Sequence, residues 1–153
     1  MRSCCKQVKE FVIFGRQLHA VIVRLYETLG EHAELERVRM LLDFLQRHER
    51  NLETALARFE KNSRGGILEA WLEYSPSLNA GQVLDDIKLP EKPSSDDIFA
   101  AALKFDDTLI ELYRELAVKA ADHKTREVFQ NLLKLEEGEK NQIVRAALSL
   151  QDM

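Results

Sequence analysis

Five side chains of this 153-residue sequence could hold a metal ion or trade protons with one another: His19, His48, Asp106, Glu136 and Glu139. Each interrupts a stripe of apolar residues that recurs every three or four positions, the spacing of one helix face. His48 sits in the middle of Val38, Leu41, Leu45, Leu52, Ala55 and Phe59. Glu136 and Glu139 stand inside the line Phe129, Leu132, Ile143, Ala146 and Leu150. Asp106 falls among Phe99, Leu103, Leu109 and Tyr113, while His19 shares a face with Ile22 and Tyr26. Asn51 lies one turn from His48 on an adjoining inward line. An unpaired buried carboxylate costs several kcal/mol, and three without a cation raise one another's pKa. Two chemistries answer that cost. A divalent ion would neutralise the carboxylates while imidazoles complete its shell, a nitrogen and oxygen set suited to iron, manganese or zinc. Alternatively, protonated histidines pair with the carboxylates and no metal is needed. Around a metal ion Asn51 would add a weak ligand or, better, serve as a hydrogen-bonding neighbour, and Tyr26 and Tyr113 either bond to the polar centre or act as core residues.

Positioning these groups takes four long helices, which the periodicity places over about residues 3–29, 33–61, 95–120 and 123–150. Gly30 suits the end of the first. Ser94 or Ser95 can cap the third, with Asp96 and Asp97 in its first turn, and Asp122 can cap the fourth. The halves also resemble each other. A shift of 87 residues lays Ile22 on Leu109, Tyr26 on Tyr113 and Leu29 on Leu116; a shift of 88 lays His48 on Glu136 and Asn51 on Glu139. The chain therefore reads as two helical hairpins packed together. Residues 62–93 join them, a connection too long for a simple bundle turn. It contains ILEAWLEY, read as a short helix over about 66–74 presenting Ile67, Leu68, Trp71 and Tyr74. Helices of this length span about 40 Å, so such a crossover can run from one end to the other and leave the second and third helices parallel. An up-down-up-down bundle with an elaborated loop is the alternative.

With the polar positions and tyrosines in place, the chain resembles the ferritin-like superfamily, and most closely the rubrerythrin-type four-helix module. That family carries a Glu on each of its first and third helices and a Glu-x-x-His pair on each of the second and fourth. Its lone carboxylates correspond to His19 and Asp106, each followed seven residues later by a Tyr, here Tyr26 and Tyr113. Its pairs correspond to His48-Glu49-Arg50-Asn51 and Glu136-Glu137-Gly138-Glu139. Only Glu136 keeps the family residue, and Asp106 is a shortened version of one. The resemblance implies an all-α, ferritin-like bundle of two hairpins joined by a long crossover, with a degenerate di-metal site and a homodimeric assembly. The four-cysteine iron module of full rubrerythrins has no counterpart, since Cys4 and Cys5 are the only cysteines.

Composition bounds the remaining possibilities. The chain is one domain in size, 45% hydrophobic and 31% charged, with net charge −4 and interleaved signs. That leaves no basic footprint for nucleic acid. No apolar run approaches the roughly 20 residues that cross a bilayer, and no targeting segment is recognised, so a cytoplasmic protein is expected. The adjacent cysteines exclude a disulfide framework and read as an incidental reduced pair. Glu49, Glu53 and Glu137 are expected to face solvent, as are His32 and His123 near the turns. Three functions stay open: a transition-metal-binding bundle, a metal-free homodimeric module using Trp71 and Val12, Ile13 and Val23, or a di-metal oxidase or peroxidase whose small-molecule substrate the sequence does not name.

Overall fold

The computed structural model describes residues 4–151. Four long helices, α1 (Val8–His32), α2 (Glu36–Asn62), α4 (Ser95–Lys119) and α5 (His123–Gln151), form two hairpins. α1 packs along α2 and α4 along α5. Between the hairpins lie the two-residue strand β2 (Trp71–Leu72) and the short helix α3 (Ala80–Asp86). β2 pairs antiparallel with β1 (Lys6–Gln7), with Lys6 opposite Leu72 and Gln7 opposite Trp71.

The helix ends follow local chemistry. Ser94 accepts from the Asp97 amide at 3.1 Å while the Asp97 carboxylate accepts from the Ser94 amide at 3.0 Å, a reciprocal cap on α4. Asp122 accepts from the Thr125 amide at 2.7 Å and starts α5. Both caps were legible in the sequence. The start of α1 was not: Ser3 lies outside the described residues, and the helix begins at Val8, where the Gln7 amide donates to Glu10 at 2.6 Å. Residues 6 and 7 are held extended by their strand pairing. Gly30 does not stop α1, which continues to His32.

The segment read as a helix over 66–74 is instead a run of turns at 65–69 followed by β2. Gly65 and Gly66 adopt φ of 70° and 74°, a left-handed conformation that other residues disfavour. The carbonyls of this segment then accept from α1: Val8 N–H donates to Ala70 O and Lys9 N–H to Leu68 O, both at 2.9 Å. Those amides belong to the first turn of α1 and have no partner within the helix. Strand alternation turns Leu72 into the core and leaves Trp71 half exposed.

Contacts fix the direction of the crossover. It starts beside the N-terminal end of α1, where the Tyr74 ring stacks with Phe11 and its hydroxyl donates to Glu115 near the end of α4. α3 packs on α1. The crossover finishes beside the α1–α2 turn, where Lys92 lies 4.0 Å from Glu34. α2 and α4 thus start at the same end and run parallel, the one-long-crossover arrangement.

The internal repeat is visible in burial. At a constant shift of 87 residues, Phe11, Leu18, His19, Ile22 and Tyr26 correspond to Ile98, Phe105, Asp106, Leu109 and Tyr113, and every one is buried. The same shift relates Leu42, Leu45, Glu49 and Leu56 of α2 to Phe129, Leu132, Glu136 and Ile143 of α5, again all buried. The shift of 88 expected for the second helix is therefore corrected to 87, and the partner of Glu136 is Glu49 rather than His48. The side chain of Leu150 lies outside the described residues. Among the described residues no helix is long and apolar enough to cross a membrane.

Candidate functional site

His19, on α1, reaches the bundle axis because its neighbours Leu18 and Ile22 anchor that face in the core. Its ring lies between two carboxylates: Nδ1 bonds to Glu49 Oε2 from α2, and Nε2 bonds to Glu136 Oε1 from α5 at 2.8 Å. A carboxylate oxygen only accepts, so both ring nitrogens donate and the ring is an imidazolium. Burial alone would push His19 down, but the charges and hydrogen bonds of Glu49 and Glu136 hold its pKa well above the usual imidazole value. Glu49 is itself raised, by burial first, with His19 opposing. All three side chains are at most 1% exposed.

Asp106, on α4, is buried beside this triad, and neither of its carboxylate oxygens has a hydrogen-bond partner. Burial, then the Glu49 and Glu136 charges, push its pKa to about 9, so it keeps its proton at neutral pH. Glu136 Oε2 and the hydroxyls of Tyr26 and Tyr113 are likewise buried without partners. Tyr26 is raised well above its usual value by burial and by Glu49 and Asp106, Tyr113 by burial and by Glu136. Both tyrosines therefore face the polar centre.

His48 occupies the side of the cluster nearer solvent. Its Nδ1 lies 2.9 Å from Glu139 Oε2, and Glu139 is 19% exposed. Burial and then the His19 charge lower His48 to about 4, so the ring is neutral. His48 Nε2 is buried without a hydrogen-bond partner. Burial, then Glu136 and Glu49, raise the Glu139 carboxyl. A groove of about 310 Å³ lined by Phe44, Arg47, His48, Arg50, Asn51 and Gln142 opens onto this side.

Of the five residues singled out in the sequence, His19, His48, Asp106 and Glu136 are buried and Glu139 is partly so. Asn51 is exposed and lines the groove, and so takes no part in the buried set. Glu49, expected at the surface, is 1% exposed and clamps His19. The signal was a second carboxylate in phase with Glu136 at the shift that already related His19 to Asp106. Glu53 is half-buried, whereas Glu137, His32 and His123 are exposed. Gly138 faces open space; the close-packed glycine is Gly15, where an added Cβ would lie 2.5 Å from the Tyr113 hydroxyl. Cys4 and Cys5 form a disulfide with each other, and so are not the reduced pair expected.

No family model, curated protein or solved structure matches this chain. Its description therefore rests on geometry: a bundle of two hairpins with a buried cluster of four carboxylates and two imidazoles. Among the described residues, no three His, Cys, Asp or Glu side chains already converge as a ready-made metal site. Glu49 and Glu136 are engaged by the His19 ring.

Proposed function

We propose that this protein is a ferritin-like bundle whose central cluster binds a transition-metal ion. Asp106 carries the reading: a carboxyl group with both oxygens buried and unpartnered, facing two further buried carboxylates. Such a group is stable only as the neutral acid or with a cation beside it. The donor set fits the second option. Asp106, Glu136, Glu139, His48, Glu49 and His19 make four carboxylates and two imidazoles, the same inventory that di-metal bundles use, with the histidines moved to other positions. Free donor atoms remain on Asp106, Glu136 Oε2 and His48 Nε2. Of these residues, His48 also lines a groove open to solvent. Iron, manganese or zinc suits these ligands, and bound iron would supply Lewis-acid and one-electron chemistry.

Purification without chelator followed by metal analysis and thermal melting tests this. Iron(II) or manganese(II) should raise the melting temperature, chelator should reverse the gain, and Asp106→Asn should abolish it. A melting temperature indifferent to both metals and chelator would sink the proposal.

A second reading has its own support: His19 already supplies a positive charge between Glu49 and Glu136. On that reading the cluster is neutralised by protons, and the chain is a metal-free module that self-associates. Its contact would use the exposed Ile13 and Trp71, since Val12 and Val23 belong to the core. Sedimentation of the chelator-treated protein distinguishes a homodimer from a monomer.

A further inference from the structure

A second groove, of about 520 Å³, is framed by α1 and α2 of the first hairpin. Four cations line it, Arg16 from α1 and Arg50, Arg58 and Lys61 from α2, beside one carboxylate, Glu53. Arg50, Thr54, Arg58 and Lys61 follow one another at three or four residues, so a single face of α2 presents them. Two of the cations are anchored. Arg16 Nη1 donates to Glu60 Oε2 at 2.5 Å and Arg50 Nη2 to Glu27 Oε1 at 2.6 Å. Arg16 Nε is buried without a partner. Arg58 and Lys61 are exposed and, among the described residues, join no ion pair. The groove stays positive even with Glu27, Glu53 and Glu60 counted against it, in a chain of net charge −4.

The fold does not require these charges. At the shift of 87 residues, Arg16, Arg50 and Lys61 correspond to Leu103, Glu137 and Leu148 of the second hairpin, and only Arg58 meets another cation, Arg145. The same backbone arrangement is thus built there without them.

We propose that this groove binds a soluble ligand bearing adjoining phosphate groups, of the diphosphate class. Guanidinium forks pair with phosphate oxygens through parallel N–H donors, and each anchored arginine still has donors to spare. A phosphate tetrahedron presents oxygens in several directions, so cations on two helices meet it together, whereas the oxygens of a carboxylate lie in one plane. Arg16 and Arg50 form the preset edge of the site, Arg58 and Lys61 close on the ligand, and the Thr54 hydroxyl adds a neutral donor. No aromatic ring lines this groove, so recognition rests on the phosphates and not on a stacked base. None of the lining residues belongs to the buried cluster, and the proposal stands apart from the metal-binding reading.

Inorganic pyrophosphate is the probe, titrated calorimetrically into chelator-treated protein at about 0.15 M salt. Citrate serves as a polycarboxylate of comparable charge, and vesicles with and without phosphatidic acid offer the same phosphate chemistry as a lipid headgroup. One equivalent of pyrophosphate per chain is expected, bound more tightly than citrate. The double variant Arg58→Gln with Lys61→Gln should weaken binding at least about tenfold, with circular dichroism confirming its fold. Lys88→Gln with Lys134→Gln removes the same charge from exposed positions outside the groove and should change affinity less than about twofold.

Failure of the unaltered chain to bind pyrophosphate would overturn the proposal. Equal losses in the two double variants would reduce the effect to net charge and overturn the location. Citrate binding as tightly as pyrophosphate would overturn the phosphate assignment. Capture by phosphatidic acid vesicles without binding of pyrophosphate would move the phosphate to a lipid and overturn the soluble ligand. Chelator is present throughout, so each of these results leaves the metal-binding reading where it stood.

Discussion

Where the first hairpin carries His19, the second carries Asp106; where the first has Leu52, the second has Glu139. The surrounding positions are buried in the same register, so the backbones pose the same problem and the side chains solve it differently. In the first hairpin the inward polar group is a cation clamped by two carboxylates. In the second it is a carboxyl with no partner, pushed to about 9 by burial and by Glu49 and Glu136. The cation of the first hairpin is held by one carboxylate from each hairpin, whereas the Asp106 carboxyl of the second has no hydrogen-bond partner. Repeating a fold thus does not repeat its site.

The sharpest test of that contrast removes the clamp. His19→Ala leaves Glu49 and Glu136 buried with no cation between them, and breaking a buried pair from one side costs about 3–5 kcal/mol. Urea unfolding of the metal-free protein should show a loss of that size. A loss below about 1 kcal/mol would mean that the ring carries no structural weight.

Asp106 should respond in the opposite direction. Asp106→Asn removes a group that is held protonated against its preference, so the metal-free variant should gain stability at pH 8 relative to the unaltered chain. Its pH dependence follows by linkage. Asp106 ordinarily titrates near 3.8 and is held at about 9, so between these values the folded chain binds the extra proton and stability falls as pH rises. His19, raised well above 6.5, adds a decline of the same sign above pH 6.5. His48, lowered to about 4, works the other way between about 4 and 6.5, favouring the fold as pH rises. The unobstructed window is therefore pH 6.5 to 9. Metal-free protein should lose stability across it, and Asp106→Asn should flatten the decline.

Gly15 and Ala102 provide a third comparison, since they too are matched at 87 residues. The second hairpin accepts a methyl group there. In the first, an added Cβ would lie 2.5 Å from the Tyr113 hydroxyl and 3.0 Å from Leu56. Tyr113 is fully buried. Gly15→Ala should cost about 1–3 kcal/mol despite the better helix propensity of Ala, as read by thermal melting. The smallest effect belongs to the surface. The Arg50–Glu27 pair bridges α1 and α2 at 2.6 Å, but its side chains are 53% and 42% exposed. Arg50→Ala should change stability by less than about 1 kcal/mol and leave metal stoichiometry untouched.

What the sequence determined by itself was the set of long helices, their caps at Ser94 and Asp122, the pairing of hairpins and the burial of His19, His48, Asp106 and Glu136. Helical periodicity carries that information because an apolar stripe broken by a polar residue is unusual in any bundle. Three things waited for the tertiary structure. Glu49 lies about 100° from His48 around α2, and a helix touching more than one neighbour buries a face wide enough for both; only the neighbours decide that. The 65–72 segment has apolar residues at helical spacing, yet the open amides of α1 draw it into turns and a strand. Finally, the clamp on His19 depended on distances between α1, α2 and α5, because a ring with two nitrogens can close a gap between two carboxylates only when the helices bring both within reach.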